Sequence, residues 1–261
     1  MKLSIITINL NNAKGLELTI KSVIHQTFHN YEYLIIDGGS SDDSVNIIKK
    51  YENRITFWLS EKDNGIYNAQ NKGIKHACGE YCLFLNSGDI LVNNDVLESV
   101  FKNQPKEDLL YGEGIFNRNG KEVSYKYPDE NHLTFRFLKR TALCHPSIFF
   151  KRKLFDIYGY YNEEYMIAAD WDFYLQLIFK YNVSILKLNL PISKFDSTGL
   201  SHSPLYKNKI KLEVNAILNK NFRYFLKDYE ELERLDHSYP IRIYRFIKEI
   251  IFAPIKIFNR L

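Results

Sequence analysis

The chain has 261 residues, 45% hydrophobic and 25% charged, with a net charge of +4. That length buries a large core or divides into a main domain with an appendage, and the composition excludes an intrinsically disordered chain. No dense basic stripe with interleaved aromatics precedes the last quarter of the chain, so a nucleic-acid partner is not expected.

The 19 tyrosines and 18 phenylalanines suit a sugar- or membrane-facing surface without establishing either. Cys78, Cys82 and Cys144 form no metal-binding CxxC pair and cannot all be bonded to one another, so reduced thiols in the cytoplasm are expected. Met1 to Asn12 is too short and too polar to read as a signal peptide. No uncharged apolar run of about eighteen residues is present to span a bilayer.

Leu3 to Ile8 is a β-branched apolar run with a polar exit at Asn9-Leu10-Asn11-Asn12, which predicts a buried first strand. Leu16, Ile20, Val23, Ile24 and Phe28 recur at helical spacing. Tyr33 to Ile36 is the second strand, ending at Asp37-Gly38-Gly39-Ser40. A helix with Val45, Ile48 and Tyr51 on its apolar side follows, capped by Ser41, Asp42 and Asp43. This β-α-β-α order with short connections predicts a parallel, right-handed, doubly wound sheet.

Ile55 to Leu59 gives a third strand, left through Asp63-Asn64-Gly65, and a helix runs from about Ile66 to Ala77 with Asn71 near its opening end. Tyr81 to Leu85 is apolar without alternation, as a strand covered on both faces is. It stops at Asn86-Ser87-Gly88-Asp89. Four strand ends thus deliver Asn9, Asp37, Asp63 and Asp89 to one sheet edge, where ligands bind in open α/β sheets. Solvated turns rich in Asn, Asp and Gly fit the same residues. There is no GxGxxG in the first βα turn and no GxxxxGK[ST] loop, which disfavours nicotinamide enzymes and P-loop NTPases.

A helix over Val96 to Phe101 leads to Leu109–Phe116 and Lys121–Tyr127, an antiparallel addition to the sheet. His145 stands just before the apolar stretch Ile148 to Phe150, and is either structural or able to reach a phosphate or acceptor. In Ala168-Ala169-Asp170-Trp171-Asp172, a helix begins with Trp171, Tyr174, Leu175, Ile178 and Tyr181 on one face. Asp170 falls at its start, where free N–H groups and the dipole favour an ionised carboxylate. A simple N-cap explains that residue equally and leaves Asp172 as surface charge.

Taken in order, LSIITINLNN, QTFHNYEYLIIDGGSSDDS, SEKDNGIYNAQNKGIKHACGEYCLFLNSGD, CHPSIFFKR and AADWDFYLQL resemble the inverting family 2 glycosyltransferases. These are GT-A fold enzymes that take sugars from nucleotide donors, and the likeness is to the branch that builds bacterial capsule, O-antigen or exopolysaccharide repeats. The resemblance implies a GT-A domain over 1–204, an α/β doubly wound, mainly parallel sheet flanked by helices; beyond it the spacing of Ile210, Val214, Ile217, Phe225, Tyr229 and Leu232 predicts a C-terminal helical extension over 205–261. The resemblance also implies that Thr7, Asn9 and Asp37 line the nucleoside pocket, that Asp63 and Asn71 lie nearer the ribose and diphosphate, and that Asn86, Ser87 and His145 contribute to donor binding. NSGD stands where the family has its DXD-type motif, with Asp89 as the ligand for Mg²⁺ or Mn²⁺, and Asp170 matches the catalytic base. Two departures stand out: Gly38 where many members carry a second aspartate, and Gly88 where the motif has its metal-holding carboxylate.

The expected activity is transfer of a hexosyl group from a nucleoside-diphosphate sugar to a hydroxyl of a saccharide acceptor carried on a polyprenyl lipid. A non-catalytic nucleotide-sugar-binding module is the alternative. A nucleotidylyltransferase shares the sheet logic but lacks its glycine- and arginine/lysine-rich loop here. His202 stands open between a phosphate or metal contact and a solvated loop. Residues 238–261 interleave aromatic, aliphatic and basic side chains, as a segment lying on the cytoplasmic face of an anionic inner membrane does, or one docked on protein.

Overall fold

The continuous apolar runs become strands and the periodic segments become helices in the computed structural model, which describes residues 1–118, 121–195 and 203–236. β1 (Leu3–Asn9), α1 (Ala13–Ile24), β2 (Tyr31–Asp37), α2 (Ser44–Lys50), β3 (Phe57–Ser60), α3 (Ile66–His76) and β4 (Tyr81–Phe84) alternate along the chain. The helical crossovers between them return the chain to the same end of the sheet and so give parallel pairing: β1 pairs with β2 and β4, and β2 with β3, all parallel. Every residue of β1 and β4 is buried, which is why neither shows apolar–polar alternation.

The later elements are β5 (Ile90–Leu91), α4 (Val96–Phe101), β6 (Leu109–Arg118), β7 (Lys121–Ser124), α5 (Phe135–Arg140), β8 (Ile148–Lys151), α6 (Lys153–Tyr158), α7 (Ala169–Phe179) and β9 (Ile185–Phe195). The described strands form one sheet in the order β3-β2-β1-β4-β8-β6-β9-β5, with β7 on β6. The α/β sheet is therefore parallel over its first four strands and mixed beyond them. β8 enters antiparallel between β4 and β6, while β9 runs parallel to β6. Pro191 is tolerated in β9 because it faces Glu113 where the register with β6 shifts.

α3 lies on β1 and β2. Its close approach is made at Gly73, where an added Cβ would stand 2.4 Å from Ile6 Cγ2.

Residues 1–213 form one compact unit, and a second begins at Val214, which marks the division between them. It comes within α8 (Lys207–Asn221), which α9 (Arg223–Asp236) follows. In the second unit the Phe222 and Phe225 rings lie 6.2 Å apart and the Tyr229 hydroxyl donates to Glu233 at 2.6 Å. No described helix is long and apolar enough to cross a membrane. His202 and the tail over 238–261 lie outside the described residues.

Candidate functional site

The in-register ends of three parallel strands build the base of the site. Asn9 stands beside Asp37, and Asp37 beside Ser60. The Asp37 carboxylate accepts from Asn9 Nδ2 (2.7 Å), Ser40 Oγ (2.6 Å), Ser40 N (2.9 Å) and Ser60 Oγ (2.7 Å). Burial pushes its pKa up, but the hydrogen bonds from Ser40, Ser60 and Asn9 outweigh this and hold it below the ordinary aspartate value.

A cleft of about 530 Å³ opens beside this edge, within the roughly 300–1,000 Å³ usual for small-molecule sites. Its walls are the exit of β1 from Asn9 to Asn12, the start of α3 from Asp63 to Ala69, the Asn86–Ser87 turn and the segment Glu163 to Met166. Among the described residues, Asp63, Glu163 and Glu164 line it, and no lysine, arginine or histidine does.

Of the residues expected to bind a donor, Asn9, Asp63, Asn86 and Ser87 meet at this cleft. Thr7, Asp37, Asn71 and His145 do not form its wall. Thr7 is wholly buried and its hydroxyl shares a 3.0 Å hydrogen bond with the Tyr33 hydroxyl. Asp37 is equally inaccessible, its oxygens taken by the strand ends it joins. Asn71 sits in the middle of α3 and spends its amide on Tyr161 O, Tyr161 N and Glu163, so it supports the 161–163 segment. His145 shares a 3.0 Å hydrogen bond through Nε2 with the Tyr161 hydroxyl and stacks on Phe84 at 5.0 Å. Burial lowers its pKa, opposed by the Asp170 charge.

Asp63 explains the Gly38 departure. Its Oδ1 accepts the Gly65 N–H at 2.9 Å, and its Oδ2 lies 2.3 Å from where a Cβ on Gly38 would be. The Asp63 carboxylate thus occupies the space a side chain at 38 would need.

The turn after β4 is fixed from α1. Asn12 caps α1 and donates to Ser87 O at 2.9 Å, while the Thr19 hydroxyl accepts from Gly88 N and donates to Asp89 O. Gly88 has φ +107°, a backbone region that a carboxylate-bearing residue adopts only under strain. Asp89 is left as the turn's one carboxylate, with Oδ2 accepting the Asn86 N–H at 3.1 Å.

α7 starts from Ala168, so Asp170 is not an N-cap but stands in the first turn. Its Oδ1 lies 2.8 Å from the Tyr67 hydroxyl on α3. One turn along α3, Gln70 Nε2 donates to Asn86 Oδ1 at 3.3 Å. Residues three apart share a helix face, so a single face of α3 joins the β4 turn to Asp170. The Cys144 thiol senses both ends: burial pushes it up to about 12, and the Asp89 and Asp170 charges add to the shift. Burial, then the Asp170 charge, likewise raises Tyr161 and Tyr174. The neighbouring Asp172 is 6% exposed rather than surface charge, and accepts from Gln176. The helix is buried on more than the face its spacing suggested.

Sequence reasoning passed over Tyr67 and Glu213. Tyr67 stands in the first turn of α3, and a lone tyrosine there carries no chemical signal of its own. A polar stripe of Tyr67, Gln70 and Asn71 on the same helix was the available signal.

A divalent cation suits this chemistry. An acidic cleft without a basic lining does not accept a diphosphate unless positive charge comes with it. Mg²⁺-type sites use one or two carboxylates and take their other oxygens from phosphates and water. Asp89, the carboxylate expected to hold it, is 7% exposed and follows the Asn86–Ser87 wall without lining the cleft itself, and no cluster of three or more His, Cys, Asp or Glu is present among the described residues.

The sequence profile described as "Glycosyl transferase family 2" matches residues 4–157. The chain is 30% identical over 216 residues to a "PGL/p-HBAD biosynthesis glycosyltransferase" of Mycobacterium bovis, covering 80% of this chain and 82% of that one. It is 26% identical over 282 residues to a "Cholesterol galactosyltransferase" of Borreliella burgdorferi, covering 94% and 74%. Among solved structures, S. aureus TarS 1-349 in complex with UDP-GlcNAc superposes with a TM-score of 0.62 at 24% identity, over 74% of this chain and 58% of that one. The chain spans 36% of the longer TarS chain. The mannosyltransferase PcManGT of Pyrobaculum calidifontis, solved with GDP-Man and Mn2+, gives 0.57 at 14% identity over 98% and 86%. At these identities the solved structures bear on the fold.

Proposed function

This chain belongs to glycosyl transferase family 2, and from that premise we propose that it moves a hexosyl group from a nucleoside-diphosphate sugar to a saccharide hydroxyl with inversion at the anomeric carbon. The observation that carries this reading is the single face of α3 that touches Asp170 through Tyr67 and the β4 turn through Gln70. The donor occupies the 530 Å³ cleft. The N-terminus of α3, at Gly65 to Tyr67, faces its diphosphate with the positive end of the helix dipole.

Asp89 would hold Mg²⁺ or Mn²⁺, which would offset the charge gathering on the leaving diphosphate. Asp170 takes the proton of the attacking acceptor hydroxyl, held ready by the rigid first turn of α7. Attack and departure on opposite faces of the sugar invert its configuration. The acceptor is a polyprenyl-linked saccharide met at the inner face of a bacterial membrane, in synthesis of a surface polysaccharide.

Nucleotide release from UDP-glucose, UDP-galactose, UDP-N-acetylglucosamine, GDP-mannose and dTDP-glucose with Mn²⁺ tests the reading. Release from one of them that is lost in Asp170→Asn supports it. Binding of a donor without release in the wild type points instead to a non-catalytic nucleotide-sugar-binding module.

A further inference from the structure

The backbone leading into α7 is gripped from two sides. Glu213, 5% exposed on α8, accepts hydrogen bonds from three successive backbone N–H groups: Met166 (2.8 Å), Ile167 (3.0 Å) and Ala168 (3.1 Å). From α3, the Tyr67 hydroxyl faces the Ile167 carbonyl at 2.5 Å and Asp170 Oδ1 at 2.8 Å. Peptide groups of one short segment are thus held at their N–H by one residue and at a C=O by another. A phenol has one hydrogen, and Tyr67 places it between two acceptors.

We propose that Tyr67 and Glu213 are positioning residues for Asp170: Glu213 fixes the 166–168 backbone, and the Tyr67 hydroxyl turns its one hydrogen to follow the protonation state of the carboxyl. This rests on Asp170 being the base. While Asp170 is ionised it accepts the Tyr67 hydrogen. When the acceptor's O–H bond breaks and its proton passes to Asp170, the new carboxyl O–H donates to the Tyr67 oxygen. The Tyr67 hydrogen then points at the Ile167 carbonyl. No proton leaves Tyr67, and the Tyr67 oxygen and Asp170 Oδ1 stay hydrogen-bonded to each other in both states.

Among the described residues, Tyr67, Tyr161, Tyr174, Cys144 and His145 sense the Asp170 charge. Burial keeps the phenols and the thiol protonated, and holds His145 below its usual range, so none brings a positive charge at neutral pH. On α8, Lys209 lies 3.9 Å from Glu213 and pairs with it.

The test is steady-state nucleotide release with the best donor of the panel above and Mn²⁺. In Tyr67→Phe, which keeps the ring and removes the hydroxyl, kcat falls about 10-fold while the donor KM holds. An unchanged kcat, or a KM that rises as kcat falls, overturns the Tyr67 role and leaves the base assignment standing. Wild-type turnover in Asp170→Asn overturns the base assignment and the positioning role together. Glu213→Gln, or Glu213→Asp if the glutamine variant does not fold, speeds hydrogen exchange in a peptide spanning 163–170. Unchanged exchange there overturns the Glu213 role.

Discussion

Gly73→Ala sets two effects of opposite sign against each other. Alanine is the better helix former, and that alone stabilises α3 by about 1 kcal/mol. The new Cβ would stand 2.4 Å from Ile6 Cγ2, whereas carbon atoms settle at roughly 3.5–4.0 Å. Ile6 is fully buried in a central strand and β-branched, so it has little rotamer freedom with which to yield. α3 must therefore draw back by about 1 Å, with an overpacking cost of about 3 kcal/mol at the upper end of the usual range. The net expectation is a loss of about 2 kcal/mol, seen as a fall in Tm of about 4–8 °C for a unit of this size. The same withdrawal carries Tyr67 and Gln70 away from Asp170 and Asn86, and a misplacement of about 1 Å at a reacting group costs on the order of 100-fold in turnover. Calorimetric melting and nucleotide release with Mn²⁺ measure the two consequences. A variant that melts higher than the wild type, as helix propensity alone would give, refutes the packing argument.

Three further outcomes follow from the strand-end network and the turn. Asp37 has a folded pKa below its unfolded value, so its contribution to stability is complete above about pH 4 and disappears as pH falls through the folded pKa. The urea midpoints of wild type and Asp37→Asn therefore converge on acidification, and a gap that stays constant from about pH 6 to about pH 3 contradicts the network. Gly38→Ala displaces the Asp63 carboxylate from Gly65 N–H, at a cost of about 1 kcal/mol. It weakens donor binding several-fold by calorimetry, and unchanged affinity argues against Asp63 at the donor. Asp89→Ala lowers donor affinity in the presence of Mn²⁺ and removes the difference that Mn²⁺ makes. A variant that still binds donor more tightly with Mn²⁺ than without it removes Asp89 as the metal ligand.

The parallel half of the sheet was legible because its information is local. β1, β2 and β4 are unbroken apolar runs, and the short helical connections between them leave one handedness and one direction. The start of α7 at Asp170 was legible for the same reason, as a carboxylate ahead of an apolar helical run. The mixed half was not, because the insertion of β8 between β4 and β6 and the pairing of β9 with β6 depend on contacts distant in sequence. Pro191 argued locally against a strand that tertiary pairing nevertheless formed. In the site, residue type showed which side chains are polar but not where their hydrogen bonds go. Asp37 and Asn71 lie at positions the family resemblance made donor contacts, yet each uses its polar atoms to join neighbouring segments. Glu213 carried no signal, since a glutamate in a charged helix reads as solvated until three backbone N–H groups are found on it.

Turnover and donor affinity measured side by side in Asp170→Asn probe the core of the mechanism. Calorimetry with Mn²⁺ should give a donor affinity close to that of the wild type, while nucleotide release falls by at least about 100-fold, the loss expected of a missing general base. Near-normal release in that variant, or loss of donor binding equal to the loss of turnover, would contradict Asp170 as the group that takes the acceptor's proton.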